Sequence, residues 1–207
     1  MEPTTTGLTE AFGPIDIYLF DQLLRGNITP DMRVLDAGCG GGRNLVFMLQ
    51  GAFDVHAVDR DPAAVEAVRA LARRLVPSLP ESRFVVAEVG DLPYPEEHFD
   101  CVVSSAVLHF ADDEDAFRAM VVEMWRVLRP GGLLFARLAS TIGIEERVRP
   151  LGGRWYTLPD GTDRFLVDED LLRAVTRELG AQQVDPIKTT NVENQRCMTT
   201  WVLRKHS

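Results

Sequence analysis

Asp36, Gly38, Gly40 and Gly42 stand two residues apart where the apolar run Val34-Leu35 gives out, an acid followed by glycines in one short loop. Glycine accepts positive φ and has no Cβ, so such a loop can turn sharply and offer backbone N–H groups to a small molecule at the start of the next helix. The loop is therefore expected to exist for a ligand pressed against the backbone. A second apolar run, Val55-His56-Ala57-Val58, ends at Asp59, nineteen positions after Gly40. An acid at the tip of the second strand is where α/β nucleotide-binding folds grip the hydroxyls of a ribose. A dinucleotide site would want a further glycine where this chain has Arg43, and the carboxylate of Asp36 repels a pyrophosphate while suiting a cation. A nicotinamide-dependent oxidoreductase is disfavoured on these grounds. A cofactor-binding module without catalysis stays open.

The run from Val34 to Gly42 closely resembles the first motif of the class I S-adenosylmethionine-dependent methyltransferases, of the type that acts on small molecules. The resemblance implies a cofactor, S-adenosyl-L-methionine, whose methionine part lies against Asp36, Gly38, Cys39, Gly40 and Arg43, and whose ribose lies at Asp59 and Arg60. It also implies adenine at Asp91 and Leu92, within Gly90-Asp91-Leu92-Pro93-Tyr94, and a further contact at Ser104, where the fourth strand ends. Tyr18, on an N-terminal helix, would close over the cofactor. Gly42-Arg43-Asn44 and the ending Arg196 to Lys205 resemble the tellurite-resistance and thiopurine enzymes. No His-Arg pair precedes the last strand, so the acceptor chemistry of the tellurite-resistance enzymes does not carry over. Val107-Leu108-His109-Phe110 resembles the corresponding segment of small-molecule methyltransferases, and the absence of an Asn-Pro-Pro-Tyr type sequence there argues against DNA amines and protein glutamine as acceptors.

Sulfonium is an excellent leaving group, so positioning supplies most of the acceleration of a methyl transfer. A general base matters only where the nucleophile must lose a proton, and His109 is the candidate catalytic residue for that task; the alternative is a histidine that packs and hydrogen-bonds locally. For the acceptor, residues 140–167 form an insertion rich in arginine and aromatic residues, with Arg147, Arg149, Arg154, Trp155, Tyr156 and Arg164. Such a segment can be a lid, with Arg154, Trp155 and Arg164 as substrate-binding residues over a small, partly anionic or planar acceptor. The other reading is a surface loop whose arginines pair with Glu145, Glu146, Asp160 and Asp163. No metal is expected: Asp112-Asp113-Glu114-Asp115 reads as the opening of a helix, and Cys39, Cys101 and Cys197 have no metal-ligand spacing. Cys39 is read as a tightly packed loop residue.

The elements that must position these groups alternate along the chain. Strands are expected at about 33–37, 54–59, 83–88, 99–104, 131–138, 183–189 and 197–204, with a helix from near Gly42, one capped by Asp61-Pro62, and one ending at Leu128-Arg129-Pro130-Gly131-Gly132. The fold class is α/β: a Rossmann-like, seven-stranded, mostly parallel sheet with an antiparallel last strand and helices on both faces. Pro186 assigns the sixth strand to a sheet edge. Residues 1–207 are expected to form one domain with a helical cap over 1–29, the first ten or so residues being mobile. The net charge of −9 disfavours a large nucleic-acid surface. No run approaches the roughly 20 apolar residues of a membrane span, and the first residues lack a signal peptide's pattern, so no membrane partner is expected and the location is read as cytoplasmic.

Overall fold

The computed structural model describes residues 5–206. Of the N-terminal residues expected to be mobile, 1–4 lie outside the described residues, and the chain then forms helices α1 (Thr5–Phe12) and α2 (Ile17–Leu24). Asp16 caps α2, its carboxylate accepting from the Tyr18 N–H at 3.0 Å. The central strands follow: β1 (Arg33–Ala37), helix α3 (Val46–Gln50), β2 (Asp54–Asp59), helix α4 (Pro62–Leu75), β3 (Phe84–Val86), β4 (Phe99–Ser105), helix α5 (Glu114–Val127) and β5 (Leu128–Ser140). The insertion supplies β6 (Arg149–Gly152), β7 (Trp155–Thr157) and β8 (Asp163–Phe165); then come helix α6 (Glu169–Glu178), β9 (Gln182–Gln183), β10 (Lys188–Val192) and β11 (Arg196–Arg204).

The main sheet has the order β10-β11-β5-β4-β1-β2-β3, with β9 added against β11. Strands β1 to β5 are parallel and β11 is antiparallel to β5. The chain leaves β1 towards β2 and β3, then returns to β4 on the other side of β1. That reversal opens a crevice at the carboxyl ends of β1 and β4, the place where ligands bind in open α/β sheets. Successive residues of β1 feed opposite faces: Val34 joins the core under α2, α3 and α4, whereas Leu35 and Ala37 join the core under α5 and α6. Burial on both faces explains why the central strands read as continuous apolar runs rather than alternating ones.

Local differences from the expected elements have local causes. The first helix starts at Val46 rather than near Gly42, because Gly42 has φ +78° and belongs to a turn. Arg129-Pro130-Gly131-Gly132 is not a turn ahead of the strand but a bulge within it: Phe99 faces Leu128 while Cys101 faces Leu133. Proline has no N–H for the ladder and Gly131 has φ +77°, so pairing skips these residues. The sixth strand is divided around Pro186 into β9 and β10, both antiparallel to β11, with β10 at the sheet edge. The acidic run opens α5 as expected, Asp113 accepting from the Ala116 N–H at 2.7 Å.

The insertion is folded. Strands β6, β7 and β8 make a small antiparallel sheet over a cluster of Ala139, Ile144, Leu158, Leu166 and Cys197. Arg154 bonds Glu114 of α5 and the α6 cap Asp168, both at 2.8 Å, and the Trp155 indole N–H donates to the Asp112 carbonyl. Among the described residues no helix is long and apolar enough to cross a membrane.

Candidate active site

The four glycines of the loop after β1 meet different demands. A Cβ on Gly38 (φ +86°) would lie 2.3 Å from a methyl of Val107, and one on Gly42 would press on Val68 and Leu71 of α4 at 3.0–3.1 Å. Both are therefore fixed by backbone conformation and by protein packing. Gly40 (φ +50°) and Gly41 alone face open space. The loop's N–H groups are also largely engaged: Gly38 and Cys39 donate to the Val58 carbonyl at 2.8 and 2.9 Å, Gly40 to the Asp59 carboxylate at 2.8 Å, and Gly42 to the Cys39 carbonyl at 2.9 Å. The expectation of a row of free donors is corrected accordingly. These bonds tie β1 to β2, and the loop offers a ligand room.

That room is a cavity of about 550 Å³ at the carboxyl ends of β1, β2 and β4. Of the residues singled out from sequence, Gly38, Cys39, Gly40, Arg43, Asp59 and Arg60 line it. Asp59 takes hydrogen bonds from Gly40 and Asp61 N–H on separate oxygens, at 2.8 and 3.0 Å, which fixes its carboxylate at the mouth of the loop. Opposite lies an apolar wall of Val89, Phe110, Ala111, Ala116 and Met120.

Asp36 lies behind the loop, 1% exposed, and neither carboxylate oxygen has a hydrogen-bond partner. Burial pushes its carboxyl up to about 7, with Arg43 opposing and Asp59 adding to the rise. Leaving a buried carboxyl unpaired costs free energy that a nearby cation recovers. An open space over Gly40 and Gly41, an orphaned acid beneath it and a held carboxylate at its rim fit a nucleoside-sized ligand with a positively charged portion.

Five expected cofactor residues are not among those lining the cavity. Leu92 is buried in the core and its N–H donates to Glu123 at 2.9 Å, while Asp91 is exposed; Glu88, Val89 and Gly90, just upstream, face the cavity instead. Ser104 is fully buried, and its neighbour Ser105 lines the cavity and accepts from Arg43 at 2.9 Å. Tyr18 bonds Thr190 at 2.8 Å and lies under Arg137, 5.4 Å from the guanidinium to the ring centre. Asp36, the fifth, acts from behind the loop. Strand alternation explains the Ser104 and Ser105 exchange, since adjacent residues point to opposite faces.

Sequence reasoning missed Asp16 altogether. It is 3% exposed and gathers Arg137 at 2.8 Å, Ser105 at 3.5 Å and Arg43 at 3.8 Å, while its N–H donates to Asn44 at 3.0 Å. The only signal available was an acid one residue ahead of a helical apolar pattern, which reads as an ordinary cap.

A second cavity, about 300 Å³, shares Ala106 with the first and is lined by His109, Arg137, Asp160, Arg164, Arg196 and Met198 among others. His109 is 7% exposed, and its Nδ1 accepts from the Ala139 N–H at 3.2 Å. Burial, helped by Arg164 and Arg196, holds its pKa down to about 4. A neutral ring whose Nδ1 accepts carries its proton on Nε2, which makes it a donor. Arg164 reaches this cavity, while Arg154 and Trp155 line neither and instead fasten the insertion to α5 and α6.

Comparison with known proteins agrees with this geometry. Residues 35–136 match the methyltransferase domain family. A malonyl-[acyl-carrier protein] O-methyltransferase of Halorhodospira halophila is 36% identical over 160 residues, covering 75% of this chain and 49% of that protein. The uncharacterized methyltransferase YodH of Bacillus subtilis is 32% identical over 121 residues, covering 58% and 46%. This chain thus spans about half the length of these relatives. The solved 1,6-didemethyltoxoflavin-N1-methyltransferase of Burkholderia thailandensis superposes with a TM-score of 0.67 at 23% identity, over 98% of this chain and 82% of that one, which shows a shared fold. With the strand order, the glycine loop and the acid at the tip of β2 alongside these matches, the chain belongs to the class I S-adenosylmethionine-dependent methyltransferases.

Proposed function

We propose that this protein transfers a methyl group from S-adenosylmethionine to a small-molecule acceptor. The observation that carries the reading is the buried, unpartnered carboxyl of Asp36 behind a glycine loop that leaves open space, with the Asp59 carboxylate held across from it. S-adenosylmethionine, when bound, supplies a methyl carbon on a positively charged sulfur.

The chain's own residues would do the rest. Asp59 accepts from ribose hydroxyls with the lone pairs not taken by Gly40 and Asp61. Val89, Phe110 and Met120 exclude water from the adenine. Asp36 and the shaped loop favour the cationic methionine portion over an anionic phosphate. Arg43, held by Ser105 and by the Asp16 cluster, is available to a carboxylate at the other end. His109, expected as a general base, is better suited to hold a proton at Nε2 than to take one, so the reading favours an acceptor that needs no strong base. Orientation of two ligands in adjoining cavities then supplies the acceleration. Residues 140–167, with Leu158, Asp160, Thr162 and Arg164 on the second cavity, would act as the lid, and residues 1–29 as the cap that brings Asp16 to the junction.

A screen of small molecules against S-adenosylmethionine, read as formation of S-adenosylhomocysteine, tests the reading. Turnover with at least one acceptor, lost in Asp59→Ala, is expected. Binding of the cofactor with no turnover across acids, amines, phenols and thiols would favour a silent binding module.

A further inference from the structure

Three arginines converge on the smaller cavity, from three separate parts of the fold: Arg137 from β5, Arg164 from β8 and Arg196 from the start of β11. Their pairing is unequal. Arg137 bonds Asp16, although its Nε is buried without a partner. The Arg164 guanidinium, among the described residues, donates to its neighbour's carbonyl, Asp163, and lies 5.1 Å over the Phe110 ring. Arg196 makes no ion pair among the described residues. Arg164 and Arg196 thus bring to one cavity two guanidiniums with no ion-pair partner among the described residues.

The cavity's one acid does not supply it. Asp160 has its carboxylate held by the Thr162 N–H and hydroxyl at 3.0 and 2.6 Å, and both Arg164 and Arg196 influence it without a direct bond. Asp16 is shared between Arg137 and Arg43, and Asp160 offsets at most one of the remaining charges, so the cavity keeps a net positive charge. His109 adds an uncharged N–H donor, and Leu158, Val192, Ala139 and Met198 add apolar surface.

We infer that this cavity binds the carboxylate of the acceptor, a small monoanionic molecule with an apolar body, through Arg164 and Arg196, with His109 donating from Nε2. Guanidinium and carboxylate match in shape as well as charge, and the Asp160 carboxylate in the cavity lining opposes a phosphate dianion more than a monoanion. The volume of about 300 Å³ is at the lower end for small-molecule sites, which limits the acceptor to roughly the size of a substituted aromatic or short aliphatic acid. Ala106, common to both cavities, puts this anchor next to the methyl-donor cavity. The inference rests on the methyl-transfer reading for its meaning as a substrate site, though not for the binding itself.

The test is a titration of the full chain with acetate, benzoate and salicylate, with the three corresponding amides and with inorganic phosphate, by protein NMR, with and without saturating S-adenosylhomocysteine. At least one acid should bind roughly ten-fold or more tightly than its amide, with shifts at His109 and Ala106. Arg164→Gln and Arg196→Gln should each weaken that binding roughly ten-fold, and Arg196→Gln should leave S-adenosylhomocysteine affinity unchanged; Arg196→Lys should recover part of the loss. Equal binding of acids and amides, no binding of any acid, or unchanged affinity in both glutamine variants overturns the inference. Inorganic phosphate binding more tightly at the same residues overturns the choice of a carboxylate. Acid binding without any S-adenosylhomocysteine binding would keep the anion site and remove the methyl-transfer reading.

Discussion

Gly38 and Gly40 look alike in the sequence and are constrained in opposite ways. A methyl group on Gly38 would strike Val107, both of whose methyls and whose Cβ lie 2.3–3.1 Å from its position, so that turning the side chain alone does not relieve the clash. Gly38→Ala should therefore lower thermal stability by more than Gly40→Ala, whose cost is limited to about 1–2 kcal/mol for a left-handed backbone. Ligand affinity should show the reverse order among folded variants, because only the Gly40 methyl enters the cavity. Equal loss of stability in the two would contradict these separate roles. Titration of His109 gives a second test at this scale. Its folded pKa of about 4 lies below the ordinary 6.5, so as pH falls the unfolded chain takes up the proton first. The stability that His109 contributes is complete above about 6.5 and is lost as pH falls towards 4. His109→Gln should be less stable than the parent at pH 7.5, and that difference should shrink by pH 4.5, as measured by thermal unfolding. Asp36 has the opposite sign, its raised pKa removing stability as pH climbs from the ordinary carboxylate range through about 7. Asp36→Asn should therefore gain on the parent over that interval.

Elements decide which of these residues meet. Most strands were legible because the central ones are apolar runs bounded by Gly, Pro and Asp, and Asp59 because it ends such a run. The cavity's glycine side was legible for the same reason. What was not legible depended on tertiary placement: Asp16 reaches Arg137 across 121 positions, and Arg196 joins the second cavity only because β11 returns antiparallel beside β5. Arg154 shows the limit clearly. As an arginine beside a tryptophan in an insertion it resembled a substrate contact, yet its partners Glu114 and Asp168 make it a fastener between β7, α5 and α6. Arg154→Ala should leave global stability within about 1 kcal/mol, since the pairs are partly exposed. It should speed hydrogen exchange over residues 149–165, and any rise in acceptor KM should follow from that loosening. Unchanged exchange in β6 to β8 would show that the small sheet stands without the ion pairs.

For the whole molecule, the sheet's switch point places two cavities of different character side by side, one backed by an orphaned acid and one rimmed by unpaired arginines, in a chain of net charge −9. A cation-bearing ligand and an anion-bearing one would thus be sorted by local charge rather than by the protein's overall field. The central claim is that the larger cavity holds S-adenosylmethionine through Asp59. Calorimetric titration of S-adenosylhomocysteine and of NAD into the parent and into Asp59→Ala tests it most directly. The predicted result is one S-adenosylhomocysteine site per chain, no heat from NAD, and an affinity roughly ten-fold or more weaker in Asp59→Ala with its thermal unfolding still cooperative. NAD binding in place of S-adenosylhomocysteine, or an Asp59→Ala variant that binds S-adenosylhomocysteine as tightly as the parent, would contradict the account.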